Sequence, residues 1–290
     1  MTLSVAPGEV LALLGPSGAG KTALGRVVAA EAQPTQGNVR IYGHDVQRQR
    51  NMARRLVALA PRAEAIEDAL GPLDNLAAAS REAGLVPEQA AALAAELVST
   101  FGLRDFAKTP AGQLPGGTRQ LLGLALGLAG APYVVVMDNP AAGLDQPGRG
   151  ILAEAVRTLA QGGVSVLLAT SDIDQAQSLA DRIVLLDRGR VMGHGTPVEL
   201  RAAIGHQNRL VIGAVVGSDL PVIERTLAGL GLADVASNRT RCQVTARLDG
   251  GPDALAQLIF RLKVMGLGPI EIGLRGPTLG DAIALLKAAS

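Results

Sequence analysis

The sequence predicts a parallel α/β sheet carrying an inserted helical subdomain, followed by a small α+β module. Three observations predict it. Short β-branched runs alternate with helical ones from Val10 to Leu186; strand signals disappear between Pro72 and Leu114; and after Gly205 the order becomes strand, helix, strand, strand, helix, strand.

The first strand is the apolar run Val10 to Leu14, and GPSGAGKT follows it at Gly15 to Thr22, with a helix expected from Thr22 to Ala30. The pattern G-x-x-x-x-G-K-[ST] between a strand and a helix is a phosphate-binding loop. Gly15, Gly18 and Gly20 let the backbone turn tightly, so that N–H groups of Pro16's successors Ser17, Gly18, Ala19 and Gly20 surround a phosphate at the positive end of the helix. Lys21 would reach the β- and γ-phosphates of ATP, and Thr22 would offer its hydroxyl to Mg²⁺.

Leu56 to Leu59 reads as the next strand. The Ala/Leu-rich stretch Leu85 to Phe101 has helical periodicity within the inserted region, about residues 72–130. Leu121 to Met137 carries no charge over 17 residues, near the lower limit for a membrane span. Gly130, Ala131 and Pro132 interrupt it, so a buried helix followed by the buried strand Tyr133 to Met137 is expected instead. That strand ends on Asp138, which after such a loop points to Mg²⁺, the bland alternative being a strand-end or helix-cap carboxylate. Ser165 to Thr170 and Ile183 to Leu186 complete the sheet.

A boundary is expected near His206, dividing an ATP-binding domain (1–206) from a C-terminal domain (207–290). The latter reads as strand Arg209 to Val216, helix Pro221 to Leu230, strands Ala233 to Ser237 and Cys242 to Leu248, helix Asp253 to Met265, strand Ile270 to Leu274 and a last helix Thr278 to Lys287. That order is ferredoxin-like.

Composition excludes several classes. A net charge of +1, with two tyrosines, three phenylalanines and no tryptophan, predicts neither a concentrated basic surface nor an aromatic platform, so no nucleic-acid partner is expected. Cys242 is the single cysteine, which rules out an internal disulfide and a Cys-based metal cage and suits a reducing cytosol. His44, His194 and His206 are scattered, and no secretory signal opens the chain.

Several motifs in order resemble the ATP-binding subunit of an ABC transporter. Besides GPSGAGKT there are LPGGTRQLLGLALGLAGAP at Leu114 to Pro132, similar to the family signature and its helix; VVVMDNP, similar to Walker B; AAGLD at Ala141 to Asp145, similar to the D-loop; and LLATSDIDQAQSLADRIVLLDRGRVMGHGTP at Leu167 to Pro197, similar to the switch-histidine region. The C-terminal extension, with RGPTLGDAIALL, resembles that of daunorubicin-resistance-type drug-export ATPases. The resemblance implies a P-loop NTPase fold, ATP and Mg²⁺, a homodimer or heterodimer of ATP-binding subunits, and a polytopic membrane permease as partner. It places the chain in the cytoplasm, peripheral on the inner face of the cell membrane. It also implies that Asp138 orients Mg²⁺, that Asp145 communicates between the two sites, and that Leu114, Pro115, Gly116, Gly117 and Thr118 face the partner subunit's nucleotide.

Four positions depart from the family pattern. Asn139 stands where the general-base glutamate is expected, and an amide cannot accept a proton at neutral pH. Ser171 replaces the switch histidine, Arg62 the Q-loop glutamine, and Pro115 the signature serine. The upstream aromatic that stacks on adenine has no counterpart between Met1 and the SVAPGE segment, which a start codon assigned too late would explain equally well. Losing a general base costs about 10² to 10⁴ in rate, so a common turnover of ~10 s⁻¹ would fall to about 10⁻¹ to 10⁻³ s⁻¹. Two expectations result: an ABC exporter subunit whose hydrolysis is weak or partner-dependent, or a non-hydrolysing nucleotide-binding regulatory module, a pseudo-ATPase. Cargo, transport direction, dimer composition and the role of the C-terminal domain are not encoded in these motifs.

Overall fold

A computed structural model of the chain describes residues 2–202, 208–213, 220–238, 242–248, 252–264 and 271–275. The boundary expected at His206 and the helix expected from Thr278 lie outside these residues. The chain divides into two compact units, Met1–Pro197 and Val198–Ser290.

In the first unit the strands are β1 (Val10–Leu14), β2 (Arg40–Ile41), β3 (His44–Asp45), β4 (Val57–Ala60), β5 (Val134–Asp138), β6 (Ser165–Thr170), β7 (Arg182–Asp187) and β8 (Arg190–Gly195). Six of them form one sheet in the order β4-β5-β6-β1-β7-β8, parallel except for β8. β1 and β6 are buried along their whole length, as a sheet covered on both faces requires. Leu11, Leu13, Val136, Leu167, Ala169 and Val184 form part of the core on one face.

The helices are α1 (Lys21–Val28), α2 (Arg50–Leu56), α3 (Pro72–Glu82), α4 (Pro87–Thr100), α5 (Gly116–Leu126), α6 (Gln146–Gln161), α7 (Ile173–Leu179) and α8 (Pro197–Ala202). Pro72 and Pro87 open α3 and α4 at the position where a missing N–H costs nothing. Asn75, 3% exposed, fixes the segment before α3: its side chain accepts from the Glu67 N–H and donates to the carbonyls of Glu67, Leu70 and Gly71. The uncharged stretch Leu121 to Met137 divides as expected between α5 and β5, and no described helix is long and apolar enough to cross a membrane.

Three strands, β2, β3 and β8, were not foreseen in the sequence. β8 pairs antiparallel with the expected strand β7, and β2 and β3 are joined by Tyr42 and Gly43 with φ of 47° and 83°. Positive φ at both central positions is a type I′ turn, which favours Asn or Gly over tyrosine.

In the second unit β9 (Asn208–Gly213), β10 (Ala233–Asn238), β11 (Gln243–Leu248) and β12 (Glu271–Arg275) form an antiparallel sheet in the order β10-β11-β9-β12. Helices α9 (Leu220–Gly229) and α10 (Pro252–Val264) complete the βαββαβ order. Ile212, Val244 and Ala246 pack with Ile223, Leu227, Leu258 and Leu262 in a separate core.

Candidate functional site: a phosphate loop beside an amide and a hydroxyl

The site lies at the carboxyl ends of β1, β6 and β5, which are neighbours in the sheet. The chain leaves β1, forms α1 and reappears at the distant edge strand β4, so this is the topological switch point where open α/β sheets bind ligands. Strand spacing of about 4.8 Å brings residues 15, 139 and 171 side by side.

The phosphate loop is tied at several points. The Gly15 N–H donates to the Thr170 carbonyl at 3.3 Å, and the Gly189 N–H to the Ala19 carbonyl at 3.0 Å. Gly18 and Gly20 have φ of 78° and 99°, and a Cβ on Gly15 would lie 2.1 Å from the Leu186 carbonyl oxygen. Only glycine fits that close approach. Lys21 Nζ donates to the carbonyls of Gly15 and Pro16 at 2.8 and 2.9 Å. Burial holds its ammonium below the usual lysine range, and the negative charge of Asp138 opposes that shift. An anionic phosphate would relieve the same desolvation. Thr22 is exposed at the start of α1.

Asp138 ends β5 opposite Ala169 of β6. Asn139 is exposed, donates its N–H to the Ala169 carbonyl at 2.8 Å and has φ of 49°, a left-handed conformation that asparagine tolerates better than most residues. Ser171 is exposed after the fully buried Thr170. The structure thus brings Lys21, Asp138, Asn139 and Ser171 to one end of the sheet.

Asp145 caps α6, accepting from the Gly148 N–H at 2.9 Å. Pro115 occupies the N-cap position of α5, leaving Gly116 and Gly117 at the first turn and Leu114 buried beneath it. Thr118 is half-buried. Arg62 is exposed after the Ala60–Pro61 peptide bond, which is cis, and its N–H bonds to the Gly123 carbonyl of α5. With Glu67, Ala79 and Leu126 it lines a groove of about 1240 Å³ between β4 and α3.

Three linking residues escaped the sequence reading. Arg149 bonds Asp172 at 2.6 Å, joining α6 to the segment after Ser171. Asp172 also caps α7 through the Gln175 N–H; that bond above all holds its carboxyl below the usual range, with burial opposing it and the Arg149 guanidinium adding to the lowering. Arg119 of α5 bonds Asp68 at 2.6 Å and the Ala111 carbonyl at 2.9 Å. Gln120 donates to the Pro140 carbonyl at 3.4 Å, connecting α5 with the chain next to Asn139. The available signal for Arg149 was its place four residues after the capping Asp145, one helical turn into α6.

A P-loop NTPase sheet with this loop, signature helix and Walker B-like strand defines the class. The ABC transporter family matches residues 1–142, and a daunorubicin resistance ATP-binding protein of Streptomyces coeruleorubidus is 35% identical over 281 residues, covering 97% of this chain and 88% of the relative. The chain belongs to the ABC transporter ATP-binding family. A doxorubicin resistance ATP-binding protein of Mycobacterium tuberculosis is 32% identical over 286 residues, with coverage of 96% and 85%. Among solved structures, the ATP-binding subunit of an ABC transporter superposes with a TM-score of 0.63 at 25% identity, covering 71% of this chain and 85% of that one. A dimeric ATP-binding cassette bound to ADP and Pi gives 0.60 at 24% identity, over 67% and 88%.

Proposed function

We propose that the chain binds Mg-ATP through Gly15 to Thr22 and Asp138, and couples nucleotide-driven dimerisation to a membrane permease of an exporter. The observation that carries this is the preformed loop, in which Lys21 sits between the Gly15 and Pro16 carbonyls within the field of Asp138. Thr22 and Asp138 supply hard oxygen donors suited to Mg²⁺, which typically keeps several waters and bridges to phosphate oxygens. Bound Mg²⁺ would neutralise charge on the β- and γ-phosphates. Residues 1–206 hold the nucleotide, with 72–130 as the helical subdomain, and residues 207–290 form the accessory domain.

In the second subunit of a dimer, Leu114 to Thr118 would present the Gly116 and Gly117 N–H groups to the facing nucleotide. Asp145 would relay between the two sites from its capping position on α6. Export is supported by the drug-resistance relatives, and the permease would contact the chain at Arg62.

Hydrolysis is weak or depends on a more competent partner subunit, because Asn139 and Ser171 can orient a water but neither accepts its proton at pH 7. The same two residues favour a second reading, a non-hydrolysing regulatory module in which ATP binding alone drives dimerisation. Phosphate release from Mg-ATP by the purified chain, with Lys21→Ala as background, separates the two. Turnover above that background supports the motor; bound ATP with none supports the regulatory module or a motor that requires a companion subunit, and the same assay with that companion added tells those two apart.

A further inference from the structure

The sequence predicts no concentrated basic surface, but residues 40–55 contain Arg40, Arg48, Arg50, Arg54 and Arg55 against the single acid Asp45, a local charge of +4 in a chain of +1. The fold gathers them on the β2–β3 turn and α2, where all five arginines are exposed. Asp45 is turned toward its own backbone, accepting from the Gln47 and Arg48 N–H groups at 2.9 and 3.0 Å. Arg50 is engaged with the Ala30 and Glu31 carbonyls. Arg54 and Arg55 have no carboxylate within ion-pair distance among the described residues, and they stand at the groove beside β4 that Glu31, Glu64, Glu67 and Glu82 also line.

Apolar surface lies next to this charge. The two tyrosines of the chain, Tyr42 and Tyr133, are 51% and 55% exposed and their rings are 5.4 Å apart. The Tyr133 N–H bonds to the carbonyl of Leu56, the last residue of α2, and Met52 one turn earlier is 48% exposed. Tyr42 keeps its place in spite of a left-handed backbone that asparagine or glycine would adopt with less strain. These groups stand on a turn and an outward helix face, so a broad surface fits them better than a narrow segment does.

We infer that the Arg40–Arg55 region and the Tyr42/Tyr133 pair dock the subunit against an anionic phospholipid surface. Arginines would neutralise lipid headgroups while tyrosines and Met52 enter the interfacial layer, the division of labour of interfacial protein surfaces. This rests on the proposed place of the chain beside a membrane permease, but not on ATP turnover.

The test is sedimentation of the purified full chain with vesicles of phosphatidylcholine alone and with vesicles containing about 30% phosphatidylglycerol. Binding to the anionic vesicles only, weakened when salt rises from about 0.1 to about 0.5 M, is expected. Arg54→Ala with Arg55→Ala should lower the partition about 30-fold, each arginine near such a surface contributing roughly fivefold. Tyr42→Asn with Tyr133→Ser should lower it further while the asparagine keeps the turn folded, a point checked by thermal unfolding. No difference between the two vesicle types overturns the proposal, as does undiminished binding by the arginine variant. Binding of a soluble poly-glutamate peptide in preference to vesicles also overturns it, in favour of an acidic protein partner. ATP binding by the wild-type chain is measured alongside, so that failure of the phosphate-loop reading is seen separately.

Discussion

At the end of β1 the loop glycines, the Lys21 ammonium and the first turn of α1 are arranged for phosphate, tied down by the Thr170 and Ala19 carbonyls. One and two strands away, at the ends of β6 and β5, the exposed side chains are a hydroxyl, Ser171, and an amide, Asn139. Both places are tied to β6, since the Gly15 N–H bonds to the Thr170 carbonyl and the Asn139 N–H to the Ala169 carbonyl, although Asn139 leaves β5 with a left-handed backbone. The difference is therefore one of side-chain chemistry on a shared frame, and under the proposed function it would separate holding a nucleotide from cleaving it.

The largest expected effect comes from restoring the weaker flank. Asn139→Glu with Ser171→His should raise phosphate release by about 10² or more, the usual contribution of a general base; single-turnover kinetics would read it, and no gain would place the defect elsewhere. Next, Gly15→Ala should destabilise the first unit by about 3 kcal/mol, since its Cβ meets the Leu186 carbonyl. Denaturant titration checks this. Lys21→Ala should weaken ATP binding about 30-fold, the value of a charge-assisted bond to phosphate, with little loss of stability. A fluorescent ATP analogue would measure it, and equal affinity would mean that the phosphate does not sit in this loop.

Smallest is the link between the flanks. Asp172→Asn should cost about 0.5 kcal/mol at pH 7, from loss of the half-exposed ion pair with Arg149, because asparagine caps a helix as well as aspartate does. Because the Asp172 carboxyl is held below its usual range in the folded state, its contribution is present above about pH 4 and is lost as pH falls through the depressed value. Wild-type and variant stabilities should converge in acid.

Much of this was legible in the chain. Apolar runs of four to six residues bounded by Gly, Pro or Asp marked β1, β5 and β6 to within a residue, because a doubly covered sheet leaves no polar alternation to confuse. The edge elements were harder. β8 is half exposed and β2 and β3 are two residues each, so neither carries a long apolar signal. The basic surface of α2 was missed because Arg40 and Arg48 to Arg55 are interleaved with neutral residues, and their common location is created by the hairpin. At the site, residue types were visible in order, whereas the Arg149–Asp172 and Arg119–Asp68 bonds span 23 and 51 positions (172 − 149 and 119 − 68) and exist only once the helices are placed.

The left-handed backbone at Asn139 sets a threshold for any carboxylate placed there. An asparagine rests in that conformation at little cost, while a glutamate would carry a penalty of about 1 kcal/mol. The turn thus discriminates between the two side chains before either meets a ligand, and a variant that gains a base loses part of the gain to local strain.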